Sequence, residues 1–400
     1  MSTKIKRNSI KYLLLTMGLV SAMGPFVTDF YLPALPQLTK VFSTSSSAIQ
    51  MSLTLCMIGL GLGQLVIGSL SDKYGRKIPL LISMIIFSIS TLGCVLTRNI
   101  YVFLFCRLIQ GVSGAGGIVI SKSVASDLYT GQSLVRFFAM LGCVQGLAPI
   151  CAPFLGGVLL SITDWQGIFY VLFGIGLFLI TILLPFRESL PLEHRSSGGL
   201  SGCLSHYKRF LVNRQFMGYV CLLALTQGAL FAYIGSSTFI YQQVYGLSAL
   251  SFGACFGLNA LGIMTGSLAA SRFRTTLQAL SVGKTGMVIA GFSAAVCIGF
   301  KMPLICIEAA LFIMLFFTGI IFTTATALAL DIEKENSGSA SALIGFFQFF
   351  AGGIISPMTG IGNIMYATAI VLGLLCVAIA IVRCKPVLSK GGSDLQAAKS

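Results

Sequence analysis

Long apolar runs alternate along this chain with short connectors that are polar and mostly basic. The runs lie near residues 12–31, 48–69, 78–96, 101–121, 137–160 and 167–186, with six more near 215–236, 249–270, 282–299, 303–325, 340–358 and 363–382. Each comes close to the roughly 20 residues a helix needs to cross the hydrocarbon of a bilayer. Open sheets are excluded there, because unpaired backbone groups find no water to bond. The alternation expected of a membrane β-barrel is missing. The pattern predicts twelve transmembrane helices, the ninth and tenth divided only by Phe300-Lys301-Met302-Pro303. A basic head and Ser21-Ala22-Met23 also give the first run the look of a cleaved signal peptide, but cleavage would leave an odd number of spans.

Composition agrees with this reading. Hydrophobic residues make up 56% of the 400 and charged residues 9%, with a mean hydropathy of +0.93. A soluble domain carries roughly 25% charged residues, so this is an integral membrane protein. The net charge of +15 does not describe a nucleic-acid surface, because the basic residues fall in the connectors. With the N-terminus in the cytoplasm, 22 of the 26 Lys and Arg lie on the cytoplasmic side. Lys40, Arg98 and Lys301 lie on the other, and Arg107 lies inside a span. So lopsided a split predicts both termini inside.

The densest motif is Gly68-Ser69-Leu70-Ser71-Asp72-Lys73-Tyr74-Gly75-Arg76-Lys77, between the second and third spans. G-x-L-x-D-x-x-G-R-K resembles the signature of the major facilitator superfamily at the same place. The resemblance implies an all-α integral membrane fold of twelve transmembrane helices in two pseudo-symmetric six-helix bundles. It also implies that Gly68, Asp72, Gly75, Arg76 and Lys77 act in conformational switching without touching substrate. The halves would be 1–187 and 214–385, joined by a cytoplasmic linker at 188–213 that holds His194, His206 and Ser196-Ser197-Gly198-Gly199, and followed by a tail at 386–400. Two echoes support a repeat: Gly266-Ser-Leu-Ala-Ala-Ser-Arg272-Phe-Arg274 as a worn copy of the motif, and Gly142-Cys-Val-Gln145 beside Gly345-Phe-Phe-Gln348. Parallel halves of this kind bind substrate between them near the midplane.

Three further segments refine the resemblance. Arg107-Leu-Ile-Gln110-Gly111 looks like the superfamily's R-x-x-Q-G motif, whose arginine is associated with proton coupling; a snorkelling arginine near the outer interface is the alternative. Gly146-Leu-Ala-Pro149-Ile-Cys-Ala-Pro153-Phe-Leu-Gly156-Gly157 resembles the proline-glycine motif of exporters, and its prolines predict a kinked helix. A kinked packing helix without directional meaning stays open. Thr28-Asp29-Phe30-Tyr31-Leu32-Pro33-Ala34-Leu35-Pro36 and Trp165-Gln-Gly-Ile-Phe-Tyr170 resemble the Bcr/CflA drug-resistance transporters, within the drug:proton antiporter family with twelve spans. That resemblance implies multidrug efflux across a bacterial inner membrane.

Acids narrow the mechanism, since only Asp29 and Glu308 of the eleven fall in apolar spans. Asp29 lies 18 residues past Lys11, roughly 27 Å along a helix, at a depth similar to Arg107. A carboxyl shielded from water can load and release a proton as its surroundings change. We therefore expect Asp29 to exchange a proton against substrate, with Arg107 tuning it; an Asp at a solvated helix end is the alternative. Glu308 is a second proton or cation site, or an interfacial acid near Lys301. Cavity candidates are Asp29, Gln145, Gln227, Tyr233, Asn259 and Gln348, among dense aromatics that include Phe239, Tyr241, Phe256, Phe346, Phe347, Phe349 and Phe350. An apolar, aromatic cleft with few polar groups suits lipophilic compounds.

Other chemistries find little support. The twelve cysteines are scattered through spans as packing residues without zinc spacing, and both histidines share one linker. No Walker-type loop appears, so energy is expected from the proton gradient, with no cofactor, no metal and no nucleic-acid partner. The expected partners are protons, a small-molecule substrate and the bilayer, with the chain acting as a monomer. The alternatives are an exporter or importer of a small metabolite such as cysteine, another amino acid or a sugar, and a non-transporting membrane receptor or scaffold. An enzyme is not expected.

Overall fold

The computed structural model describes residues 9–129, 131–195, 210–333 and 337–383. The part of the linker with the Ser-Ser-Gly-Gly run and His206, and the tail from 386, lie outside the described residues. The first helix, α1 (Ile10–Val41), is interrupted. It is followed by α2 (Ser46–Tyr74), α3 (Lys77–Leu96), α4 (Ile100–Leu128), α5 (Gly131–Leu160) and α6 (Trp165–Leu183). The second half holds α7 (Arg214–Val244), whose last turn is a π-helix, then α8 (Ala249–Ala270) and α9 (Thr276–Gly299). It ends with α10 (Leu304–Ile332), α11 (Ser337–Met358) and α12 (Ile364–Ile381). Eleven of these are long and apolar enough to cross a membrane among the described residues, and α5, at 30 residues, is the twelfth long helix.

Several helices outrun the apolar spans that announce them. The helices ending at 74, 128, 244 and 332 all continue past their apolar spans through polar residues, because a helix satisfies its own backbone wherever the hydrocarbon stops. Starts are set by side-chain caps. Ser45 Oγ accepts the Ala48 amide at 3.1 Å, Asn99 Oδ1 that of Tyr101 at 2.8 Å and Asp164 Oδ1 that of Gln166 at 3.1 Å. Asn213, Ser248, Thr275 and Asn363 cap α7, α8, α9 and α12 in the same way, each removing an orphan N–H.

Six helices form each bundle, and the packing of the first bundle recurs in the second. α4 packs on α2 and α3 as α10 packs on α8 and α9, and α3 meets α6 as α9 meets α12. The bundles meet along α2–α11 and α5–α8. Glycines let the inner pairs approach to backbone contact: a Cβ on Gly59 or Gly63 would strike the Leu108 or Val112 carbonyl of α4, and one on Gly262 or Gly266 the Phe312 or Phe316 carbonyl of α10. This contact corrects the repeat register. Gly266 corresponds to Gly63, not to the motif residue Gly68. The echo of Gly142–Gln145 in Gly345–Gln348 has the register of these contacts. Exposed apolar rows such as Ile82, Ile85 and Ile89 on α3, or Ile370 and Leu374 on α12, cover the outside, where lipid is the solvent.

The end with the Gly68–Lys77 motif is the basic end; the opposite one is the far end. Among the described residues, five hydrogen bonds join the bundles at the far end. Thr238 and Gln242 of α7 donate to the Leu32 and Pro33 carbonyls at 2.8 and 3.1 Å, and Gln50 donates to the Gly235 carbonyl at 2.8 Å. Ser47 donates to the Pro357 carbonyl at 3.2 Å and Thr359 to Gln50 Oε1 at 3.5 Å. The acceptors in α1 lie at its break, where Pro33 and Pro36 carry no N–H to continue the ladder.

Candidate functional site

A cavity of about 610 Å³ lies between the bundles, lined by α1, α5, α7, α8, α10 and α11. Its wall is largely apolar and aromatic, with Phe231, Tyr233, Phe256, Phe322 and Phe349. Thr28, Asp29, Gln227, Tyr233 and Ser267 are its polar members, and none of the described lining residues is basic. Toward the basic end the cavity reaches Leu268, which is 64% exposed, so it opens there. At the other end the cross-bundle bonds close it.

Asp29 ends the second helical stretch of α1, just before the proline break. It is 4% exposed, and its Oδ1 has no hydrogen-bond partner. The solvated helix end that the sequence also allowed is therefore not what the fold builds. Arg107 is fully buried but does not pair with Asp29. Its Nη2 donates to the Val27 carbonyl at 2.9 Å, Nη1 donates to Gln110 Oε1, and the guanidinium carbon lies 4.2 Å from the centre of the Tyr31 ring. Gln110 passes the network on to Thr91 Oγ1 at 2.7 Å, and Tyr31 bonds Ser52 at 2.9 Å. The reason is geometric: the α1 break exposes carbonyls, and Arg107 satisfies one of them and stacks on the ring just beyond. Arg107 is not a cavity residue; it braces the turn that holds Asp29.

Gln227 and Tyr233 line the cavity as expected. Gln348 does not line it; its Nε2 lies 3.4 Å from Gln227 Oε1. Asn259 also stands outside the lining, behind Tyr233, and donates to the Tyr233 hydroxyl at 3.0 Å and to Glu308 Oε1 at 3.1 Å. The side chain of Gln145 and residues Gly142 and Gly146 lie outside the described side chains. Glu308 accepts a second hydrogen bond from the Tyr241 hydroxyl. Lys301 lies 5.4 Å from the Tyr366 ring and forms no ion pair with Glu308 among the described residues. Phe231, Phe322 and Met264 also line the cavity; nothing in their spacing distinguished them from residues that face lipid.

The exporter-like helix α5 contributes Pro149 to the cavity wall, and Pro153 stands within the helix beyond it. A Cβ on Gly156 would strike the Phe30 carbonyl of α1, and one on Gly157 would stand 3.0 Å from the carbonyl carbon of Ala249 on α8. These two glycines seat α5 against both bundles next to Asp29.

At the basic end, the motif residues form a clasp. Arg76 is 6% exposed and holds Asp127 of α4 through Nε at 2.8 Å and Nη2 at 3.1 Å, together with Asp72 and Ser71. Burial works against its charge, but Asp127 and Asp72 outweigh that effect and keep Arg76 more firmly protonated than usual. Glu188 accepts the Arg76 and Lys77 amides at 2.8 and 3.1 Å, capping α3. Gly75 sits at φ 89°, and a Cβ there would stand 2.5 Å from Glu188 Oε2. Lys77 Nζ bonds the Leu184 carbonyl at 2.7 Å. Gly68 faces Val119 of α4 at ordinary contact distance. Asp127 and Glu188 escaped the sequence reading because they look like ordinary connector acids; only the fold shows that they complete the motif.

Two membrane-embedded bundles around a central cavity define a multi-pass carrier for small molecules. The profile of the Major Facilitator Superfamily matches residues 15–357, and the chain belongs to that superfamily, whose members are transporters and not enzymes. It is 36% identical over 369 residues to the uncharacterized MFS-type transporter YdgK of Bacillus subtilis, covering 89% of this chain and 92% of the relative. It is 28% identical to a bicyclomycin resistance protein homolog of Haemophilus influenzae, over 86% and 88% of the two chains. Among solved structures, the inward open xylose transporter XylE of Escherichia coli superposes with a TM-score of 0.73 at 15% identity, covering 98% of this chain and all of that one.

Proposed function

We propose that this protein is a proton-driven exporter of drug-like, lipophilic small molecules that works by alternating access. The observation that carries the reading is Asp29, the one carboxyl among the described lining residues, buried without a partner for Oδ1 in a largely aromatic and apolar cavity between the bundles. Burying a charge there without a partner is costly, so the site favours either a proton or a substrate group in place of the missing partner. The two cannot be held together, which is the exchange that antiport requires. Arg107 serves this by fixing the α1 turn through the Val27 carbonyl rather than by pairing with the acid.

The relatives support the cargo class: a bicyclomycin resistance protein homolog and multidrug resistance proteins are among them. A sugar as cargo is less well served, because a polyol needs many hydrogen-bond partners and this wall offers few. We place the basic end in the cytoplasm of a bacterial inner membrane, with both termini inside. In this placement the structure is closed outside and open inside. Uptake of rhodamine 6G into energised inverted membrane vesicles tests the reading. Wild-type vesicles should accumulate the dye until the proton gradient is collapsed, and Asp29→Asn vesicles should not. Gradient-driven accumulation that survives the substitution would remove Asp29 from the mechanism.

A further inference from the structure

The second intramembrane acid lies outside the cavity. Glu308 stands near the far end of α10, half-buried, and its carboxylate oxygens accept from Tyr241 of α7 and Asn259 of α8. Asn259 is fully buried. Its Nδ2 also donates to the hydroxyl of Tyr233, whose ring lines the cavity and stacks on Phe256 at 5.6 Å. Both hydrogens of that amide are therefore committed, while its Oδ1 has no partner at all. Tyr233 accepts from Asn259, so its own hydrogen points away from the amide.

No basic side chain among the described residues pairs with Glu308. The titratable groups around it are Tyr233 and Tyr241 from α7 and Cys255 from α8, and Asp29 of α1 acts on Tyr233 from the cavity side. α9 brings Cys297, beside Cys306 of α10, and after it Lys301, which turns to the Tyr366 ring of α12. α11 contains no ionisable residue. The direct partners of Glu308 are thus both neutral donors.

We propose that Glu308 is a proton-binding site separate from the substrate cavity, and that Asn259 transmits its protonation to the cavity by reversing the hydrogen bond of Tyr233. The proton comes from water at the far end and adds to a carboxylate oxygen; no other bond changes. A neutral Glu308 becomes a donor, and the acceptor beside it is the idle Oδ1 of Asn259. Turning the amide over presents Oδ1 to both Glu308 and Tyr233. Tyr233 then donates to Asn259 instead of accepting from it. Protonation therefore withdraws the phenolic hydrogen from the cavity side, and loss of the proton returns it. Glu308 and Asn259 are positioning residues in this scheme, and Tyr233 is the group that meets the ligand. The link to substrate rests on the transport reading; the switch itself does not.

Infrared difference spectra of the purified protein in lipid, taken between alkaline and acid pH without ligand, read the switch directly. Wild type should gain protonated-carboxyl bands from Glu308 and Asp29 and shift a tyrosine C–O band in the titration of Glu308. Glu308→Gln should lose the Glu308 band and the tyrosine shift, and Glu308→Asp should keep both at a displaced midpoint. Asn259→Leu and Tyr233→Phe should each keep the carboxyl bands and lose the tyrosine shift. Asp29→Asn, which removes the cavity carboxyl's own band, should leave the Glu308 band and the tyrosine shift in place. A protein carrying both Glu308→Gln and Asp29→Asn that keeps a buried protonated-carboxyl band overturns the proton site. A tyrosine shift that survives Tyr233→Phe or Asn259→Leu overturns the relay. Because no transport is measured, failure of the export reading in vesicles is a separate result.

Discussion

Removing the far-end hydrogen bonds should open the carrier at that end. The triple substitution Gln50→Leu, Thr238→Val and Gln242→Leu deletes the donors that reach the Gly235, Leu32 and Pro33 carbonyls across the bundle interface. Each neutral hydrogen bond contributes about 0.5–1.5 kcal/mol net of the water bonds that replace it. Three together favour closure by about 1.5–4.5 kcal/mol, a shift of roughly tenfold to a thousandfold in the ratio of open to closed forms. Spin labels on genetically encoded residues at Val41 and Ile361, exposed in the far-end connections of the two bundles, would report the separation by pulsed electron resonance. The account expects a second, longer distance to appear in the triple variant and to dominate it, with single variants in between. A distance distribution identical to wild type would refute the claim that these bonds hold the far end shut.

Further outcomes concern the clasp and the helix crossings. Arg76→Ala strands Asp127 at a site where Arg76 is almost fully buried; breaking such a pair costs about 3–5 kcal/mol. The melting temperature in detergent should fall, and Arg76→Lys should recover only part of the loss, since Lys cannot grip both oxygens of Asp127. Gly75→Ala faces φ 89° and the Glu188 carboxylate, a strain of about 1–3 kcal/mol. Hydrogen exchange at the Arg76 and Lys77 amides should accelerate as Glu188 is displaced; unchanged protection would contradict the capping role. Gly266→Val drives a side chain into the Phe316 backbone. It should destabilise the second bundle by about 1–3 kcal/mol or more, with Gly63→Val doing the same in the first. Unaltered thermal melts would show that these crossings are not tight.

The fold was legible because a bilayer leaves few options for a chain with twelve apolar runs. The motif at Gly68–Lys77 was likewise readable from its charge pattern. Helix ends were harder, since the polar residues around Lys122 and Asp127 read as connector although α4 continues through them to Leu128. Asp29 stood out because an acid in an apolar run has few reasons to be there. Its separation from Arg107 did not, because similar depth says nothing about which way two side chains turn, and the α1 break supplied Arg107 with a carbonyl instead. The cluster of Tyr233, Tyr241, Asn259 and Glu308 joins three helices across long stretches of chain. No local spacing could announce it. The repeat was visible, but its register needed the backbone contacts of Gly63 and Gly266.

The central claim is that Asp29 couples proton movement to substrate without being needed to shape the cavity. Proteoliposomes loaded with unlabelled rhodamine 6G separate the two roles, since exchange of bound substrate needs no proton gradient while uphill uptake does. The account predicts that Asp29→Asn keeps exchange at a rate within a few-fold of wild type and loses gradient-driven accumulation entirely. Accumulation that persists in the Asp29→Asn protein would contradict it.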